Sequence, residues 1–383
     1  MFAKRPNKEC NRKEKRKKMT TLTIKTTALD NNMRIIKRLA NGSQIIAVLK
    51  GNAYGLGLIK FASFLHTRGI RNFGVTDLAD AVTLRQNGIT GTILLMTPLY
   101  HTEDIETAIE HDITLSITSP ACGQIVDETA AYMNHTLVRA HLCIDTGFGR
   151  YGFLCSELPQ IEETVRQLGH VKITGIFSHF HAAACRNESY VRKQFQSFTR
   201  LCDMLQQDGI PVGMRHISSS TSLVKFPFMN LDAVRIGSAF LGRLAVPNEY
   251  GFLDVCSLSA CVDDIYHLPA GHNIGYGHSF RLSQPSTTAV ISAGYYHGLG
   301  MERHTDSRKN FLSPIRIYHK IKNTCRKTAP AACFNNCKLP VLGQISMNSV
   351  IIDTKDCPLS IGDTVTFPIN PIFVNSAVPR VYM

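Results

Sequence analysis

At 383 residues, 44% of them hydrophobic and 19% charged, the chain has room for about two domains with a sizeable core. No apolar run approaches the roughly 20 residues needed to cross a bilayer. The formal net charge of +13 points to nucleic acid only if it belongs to the folded part, and much of it does not. Nine lysines and arginines against Glu9 and Glu14 put +7 into residues 1–18, leaving +6 for the rest. Such a tail reads as a solvated, disordered arm, with RNA or acidic lipid as the lesser alternative. No apolar stretch follows it, so it is a poor secretory signal, and Met19 opens a more ordinary start. Most of the twelve cysteines, Cys143, Cys202 and Cys261 among them, sit in apolar or helical stretches and read as reduced core residues. Cys325, Cys333 and Cys337, with Cys357, match no strong zinc spacing, and no metal is expected. The protein reads as cytoplasmic, with neither membrane nor nucleic acid as a partner.

In chain order, short apolar runs alternate with longer amphipathic ones from Leu22 to about Arg243. The series predicts strands at 22–24, 45–49, 72–75, 92–96, 115–117, 137–144, 173–178, 214–217 and 233–236. Helices are predicted between them, among them 31–39, 58–68, 77–86, 122–133 and 189–207. Alternation repeated about eight times predicts an α/β chain, a (β/α)8 TIM-type barrel over residues 19–245. An open doubly wound sheet would show a glycine-rich dinucleotide turn after its first strand, and there is none. Beyond Pro247-Asn248 the texture changes to short β-like runs broken by glycine, proline and asparagine. A C-terminal, mostly antiparallel β domain is predicted over 250–383, with a polar, basic insertion at 299–340.

Polar residues gather where the predicted barrel strands end. Ile45–Leu49 delivers Lys50, and glycines then turn the chain toward the next helix, with Tyr54 four residues on. A lysine pinned there and desolvated by its neighbours can hold an amine partly neutral near pH 7, as Schiff-base chemistry requires; a surface lysine at a strand end is the alternative. Asp145 and Arg150 follow the 137–144 strand; His179, Ser219, Ser220 and Arg235 end later ones. In a barrel these ends converge on one face.

Val48-Leu49-Lys50-Gly51-Asn52-Ala53-Tyr54-Gly55-Leu56-Gly57 resembles the cofactor-lysine motif of the alanine racemase family, pyridoxal 5'-phosphate enzymes of fold type III with a barrel followed by a β domain. Further segments are similar to the family in the same order: Asp145-Thr146-Gly147-Phe148-Gly149-Arg150, Ser178-His179-Phe180, His216-Ile217-Ser218-Ser219-Ser220 and Asp232-Ala233-Val234-Arg235-Ile236-Gly237-Ser238. In the second domain, Gly275-Tyr276-Gly277, Gly294-Tyr295-Tyr296-His297-Gly298, Gly343-Gln344-Ile345-Ser346-Met347-Asn348 and Val378-Pro379-Arg380-Val381-Tyr382 resemble it too. The resemblance covers nearly all of 22–382, without the tail and the insertion.

It implies an isomerase, a racemase interconverting L- and D-alanine, the latter a peptidoglycan precursor, in a homodimer with shared active sites. By resemblance Lys50 and Tyr276 are the catalytic bases, Tyr276 coming from the partner subunit. Lys50, Tyr54, His179, Ser219, Ser220, Arg235, Gly237 and Ser238 bind the cofactor, while Arg150 and Met347 face the substrate carboxylate. Arg235 beside the ring nitrogen can only donate to it, so the nitrogen stays neutral and the ring a weak electron sink; this suits reprotonation at Cα over transamination or decarboxylation. Tyrosine, with a pKa near 10, needs help as a base, and His179 held by Arg235 is its implied helper. The sequence departs from the family at Cys143, where a lysine, often carbamylated, orients the arginine, and at Ser219, Ser346, Asn348 and Ser376. These changes leave open a racemase of serine, lysine or a broad range of amino acids. A noncatalytic cofactor-binding protein of the same barrel class is the remaining alternative.

Overall fold

The computed structural model describes residues 19–134, 137–301, 331–354 and 357–383. The basic tail, most of the stretch expected as an insertion, and Cys325 lie outside the described residues. The chain divides into two compact units. One comprises residues 24–255 with 382–383; the other comprises 256–381 with the segment ahead of Ile24.

In the first unit, eight parallel strands lie side by side: Thr92–Leu95, Asn72–Val75, Gln44–Val48, Ala233–Ile236, Met214–Ser219, Val171–Phe177, Val138–Asp145 and Leu115–Ile117. A parallel bridge between Leu94 and Thr114 joins the two ends of this order. It is held by Leu95 N–H donating to Thr114 O (2.9 Å) and Thr114 N–H donating to Ile93 O (2.8 Å). The sheet therefore closes into the expected barrel. Its strands are apolar on both faces because side chains fill the inside and helices cover the outside.

The intervening helices start where short polar side chains satisfy free amides. Asp77 accepts from Ala79 N–H ahead of Leu78–Gln86, and Ser119 from Cys122 N–H ahead of Pro120–Tyr132. Thr26–Ala40 buries Leu29, Met33, Ile36 and Ala40, residues three or four apart, and stops at Asn41 in a left-handed conformation.

One predicted barrel strand is placed elsewhere. Thr21–Ile24 runs between Cys256–Leu268 and Arg380–Tyr382 in the sheet of the second unit. Periodicity marks a four-residue apolar run as a strand without naming its partners, and the barrel is complete without this one. In the second unit, Ser286–Ile291, Val350–Asp353, Cys337–Leu342, Ala331–Phe334, Thr364–Pro368 and Cys256–Leu268 pair in succession, and the last also pairs with the first. Ala331–Phe334 and Cys337–Leu342 correct the carboxyl-terminal end of the expected 299–340 insertion. They form a hairpin whose turn residues Asn335 (φ 44°) and Asn336 (φ 67°) take the left-handed conformation of a tight β turn.

Lys50 is set by an unusual piece of backbone. The four residues after it, Gly51, Asn52, Ala53 and Tyr54, all have positive φ (63°, 52°, 53° and 55°) and wind one left-handed turn. For L-residues this costs roughly 1–2 kcal/mol each, so other contacts must hold it. Ala53 and Leu56 are fully buried, Asn52 Oδ1 accepts from Leu58 N–H (2.9 Å), and the Tyr382 hydroxyl donates to Leu56 O (3.0 Å). A Cβ at Gly51 would meet nothing within 4 Å, so Gly51→Ala isolates the conformational term. It is expected to destabilise the protein by about 1 kcal/mol, read as a lower midpoint in urea or thermal unfolding. An unchanged midpoint would show that the left-handed turn carries no strain.

Candidate active site

At the carboxyl-terminal ends of the barrel strands lies a cavity of about 420 Å³, and nine of the residues singled out in the sequence line it: Lys50, Tyr54, Arg150, His179, Ser219, Ser220, Arg235, Gly237 and Ser238. They come from strands far apart in sequence and meet because a barrel aims all its strand ends at one mouth.

Arg235 is the electrostatic centre. It is 5% exposed, and its partners are neutral acceptors. Nη1 donates to His216 O (2.9 Å) and His216 Nδ1 (2.8 Å). Nη2 donates to Ser178 O (2.5 Å) and His179 Nδ1 (3.1 Å). The Phe177 ring lies 5.3 Å from the guanidinium carbon and stacks on His216. Burial lowers the Arg235 pKa to about 10, so the group remains a cation at neutral pH. Burial, and then the Arg235 charge, lower the His179 pKa to about 3 and push His216 well below the ordinary range. Both imidazoles are therefore neutral, and each accepts from arginine through Nδ1 with its proton on Nε2.

The Arg150 turn is built by Asp145. Its carboxylate accepts from the N–H groups of Gly147, Phe148, Gly149 and Arg150 at 2.7, 2.7, 2.8 and 3.3 Å. Burial pushes the Asp145 pKa up, but the four amides outweigh it and hold the carboxyl below its usual range. Asp145 thus serves the backbone, and among the described residues no carboxylate pairs with the Arg150 guanidinium. The Phe148 ring supports that guanidinium, 4.4 Å from its carbon, and also lies 5.3 Å from His179. Cys143 lines the same cavity. Its thiol donates to Tyr151 O at 3.4 Å, and burial pushes its pKa up to about 12, so it is neutral and gives Arg150 no counter-charge. Phe148 has no assigned role in the sequence reading, because its contact with Arg150 depends on how the glycine turn between them is folded.

Ser220 Oγ accepts from Gly237 N–H (3.1 Å) and Ala239 N–H (3.2 Å), which brings two strand ends together. A Cβ at Gly237 would collide with the Tyr54 phenol. Burial pushes the Tyr54 pKa up to about 12, so its hydroxyl stays protonated. Ser219 forms a reciprocal cap with Ser222 at the start of Ser220–Lys225.

This donor set fits pyridoxal phosphate. Serine hydroxyls and close-packed amides suit an anionic phosphate, a lysine suits an aldehyde carbon, and a buried arginine suits an unprotonated ring nitrogen. Among the described residues no group of three or more histidine, cysteine or acidic side chains is placed to hold a metal.

Tyr276 and Met347 lie in the second unit, about 68% and 53% exposed, and are not among the residues lining the barrel cavity. Their loops pack together. Tyr295 N–H donates to Ser346 O and Tyr296 N–H to Met347 O, both at 3.0 Å, and a Cβ at Gly343 would come within 2.6 Å of Ile274 O.

A barrel with a strand-end lysine, a buried arginine and a serine–glycine anion cradle, joined to a β unit with presented tyrosines, defines a class of cofactor-binding barrel proteins. Residues 24–244 match the family model described as alanine racemase, N-terminal domain, and 255–371 that of its C-terminal domain. The chain belongs to the alanine racemase family. Among curated relatives, the alanine racemase of Clostridium tetani is 30% identical over 343 residues, covering 87% of this chain and 82% of its own. That of Methanococcus maripaludis is 28% identical over 352 residues, covering 90% and 87%. The solved alanine racemase of Clostridium difficile 630 superposes with a TM-score of 0.79 at 25% identity, covering 95% of each chain. That of D-cycloserine-producing Streptomyces lavendulae gives 0.80 at 25%, covering 95% and 97%.

Phe148→Leu should leave the Asp145 turn intact while removing the aromatic face under Arg150. A cation–π contact at a half-open site contributes about 0.5–1 kcal/mol. KM for an amino-acid substrate is expected to rise about two- to fivefold with little change in kcat, measured by steady-state kinetics. A fall in kcat at constant KM would move Phe148 from the substrate grip to the His179 side of the site.

Proposed function

We propose that this chain is a pyridoxal-phosphate-dependent alanine racemase acting as a cytoplasmic homodimer with shared sites. The observation that carries the reading is the meeting of Lys50, Arg150, His179, Ser220 and Arg235 in one cavity in a chain of this family. Lys50 would hold the cofactor, with Ser219, Ser220, Gly237 and Ser238 at its phosphate, Tyr54 beside them, and Arg235 at its ring nitrogen. When bound, pyridoxal phosphate supplies an electrophilic carbon for the substrate amine and an electron sink for the bond to Cα.

The protein's own residues do the rest. Arg150 grips the substrate carboxylate, with the amide of Met347 of the partner subunit as a second donor, and this fixes Cα between two bases. The Lys50 amine takes or returns the Cα proton on one face; Tyr276 of the partner subunit does so on the other. A one-base site would return the proton to the face it left, whereas two bases with reversible roles give both enantiomers. His179 is neutral, and Arg235 holds its Nδ1 at 3.1 Å. Its Nε2–H is thereby free to stabilise a deprotonated tyrosine hydroxyl. Arg235 can only donate to the ring nitrogen and so favours its unprotonated form, which limits delocalisation at Cα and disfavours transamination and decarboxylation.

Incubation of the purified protein with each amino acid, followed by chiral chromatography, is expected to show racemisation of alanine ahead of serine and lysine. Faster turnover of either of those would transfer the reading to it, and none at all would favour a noncatalytic cofactor carrier. Borohydride reduction followed by peptide mass spectrometry should place the pyridoxyl group on Lys50; a label on another lysine overturns the site.

Tyr276→Phe should retain the cofactor spectrum and lose on the order of 10²–10⁴ in rate, the worth of a positioned general base. Wild-type rates in both directions would remove Tyr276 from the mechanism.

A further inference from the structure

A second cavity, of about 110 Å³, is lined by residues near the amino-terminal ends of the barrel strands, among them Asn72, Thr92, Thr114, Arg139, His141 and Thr174. Thr114 is fully buried, and its hydroxyl has no hydrogen-bond partner. A buried hydroxyl left without a partner is uncommon, and a cavity of this size, lined by these polar groups together with Ile46, Phe73, Leu94 and Met214, has room for a few water molecules. His141, 3% exposed, lines the cavity and is tied to the opposite end of the barrel. Its Nδ1 lies 2.9 Å from His216 Nε2, and His216 Nδ1 lies 2.8 Å from Arg235 Nη1.

The direction of every bond in this line follows from the arginine. A guanidinium only donates, so His216 Nδ1 accepts and the His216 proton sits on Nε2. That proton is donated to His141 Nδ1, so the His141 proton sits on Nε2. His141 Nε2–H is then left to find an acceptor, and the cavity holding the Thr114 hydroxyl is where it lies open. The barrel makes room for this ring. His141 pairs with Gly175 at a register shift between two strands, and a Cβ on Gly175 would come within 2.6 Å of the imidazole. Burial, then the Arg235 charge, keeps His141 neutral, with its pKa lowered to about 4.

We propose that His141 is a positioning residue, and that water in the lower cavity, shared by His141 Nε2–H and Thr114 Oγ1, anchors a line that holds the His216 ring in place and so fixes the aim of Arg235. Through Arg235 Nη2, the same line reaches His179. The floor of the active site is thereby oriented from the far end of the barrel. Only the kinetic consequence rests on the proposed racemase reading.

The test uses the full-length protein with 15N-labelled histidine, with and without cofactor, and three variants. In the wild type, 15N shifts should report His216 and His141 both as neutral Nε2–H tautomers. His141→Leu removes the acceptor and should move the His216 Nε2–H proton signal upfield, as loss of its hydrogen bond requires. His141→Asn, whose Oδ1 reaches the place of Nδ1, should restore the wild-type signal. Gly175→Ala keeps the imidazole but displaces it, and should behave like His141→Leu if that variant does not fold. The kinetic arm should show about a tenfold loss of kcat in His141→Leu with KM within twofold, the order expected for one buried hydrogen bond in a charged network, and recovery in His141→Asn. An Nδ1–H tautomer on either histidine in the wild type overturns the proposal. So does a His216 Nε2–H signal unchanged from the wild type in both His141→Leu and Gly175→Ala. A high-resolution crystal structure with a dry lower cavity overturns the part played by water. If the wild type racemises nothing, the kinetic arm falls with the proposed function, while the histidine signals still decide this inference.

Discussion

A cation held without an anion organises the barrel mouth. Moving a guanidinium out of water is costly, and among the described residues Arg235 is compensated by oriented dipoles: the carbonyls of Ser178, His216 and, at 3.5 Å, Ile217, two imidazole nitrogens and the face of Phe177. These acceptors sit at two neighbouring strands, Val171–Phe177 and Met214–Ser219, and Arg235 on the next, so the charge binds the barrel wall together while keeping its excess positive potential. A carboxylate partner would have cancelled that potential. Neutral acceptors leave it directed at whatever the cavity holds, and they force both adjacent histidines to remain uncharged.

The substrate side follows the opposite plan. At Arg150 the available acid, Asp145, is taken up by four backbone amides, so it shapes the turn instead of pairing with the arginine. An aromatic face supports the guanidinium, and the neighbouring thiol is neutral. The arginine is thus located by contacts that do not compete with an incoming carboxylate. Lys50 is located by strain opposed by packing, since its left-handed turn persists only because Ala53, Leu56, Asn52 and Tyr382 fix the backbone on both sides.

Residue types and spacing made the barrel legible, because an apolar run followed by an amphipathic one is a local signal, and so is a polar residue at the end of the run. The positions of Lys50, His179 and Arg235 at one mouth followed from that pattern. Partner choice was not local. Nothing within Thr21–Ile24 names Cys256–Leu268 as its neighbour, and the polar texture after Gly298 hid the Ala331–Leu342 hairpin, whose Asn335-Asn336 turn was the missed clue. Cys143 stood out in the sequence as a departure, but its consequence depended on what else touches Arg150. Phe148 answers that through a contact between side chains two residues apart on a glycine turn, and glycine turns have too many conformations for such a contact to be read from spacing.

The Thr21–Ile24 strand has a consequence for how the molecule is made. It leaves the ribosome before any barrel strand, yet both of its sheet neighbours are encoded after the barrel, and Arg380–Tyr382 is at the far end of the chain. Leu22 N–H donates to Pro379 O, and Met383 N–H donates to Ile24 O. During synthesis this apolar strand emerges without a template, while the barrel behind it has all eight of its strands and can close. Completion of the second sheet therefore waits until Arg380–Tyr382 has been made. A nascent chain stalled just short of that strand would carry a finished barrel and a Thr21–Ile24 strand with one edge open, the sort of exposed edge that chaperones recognise.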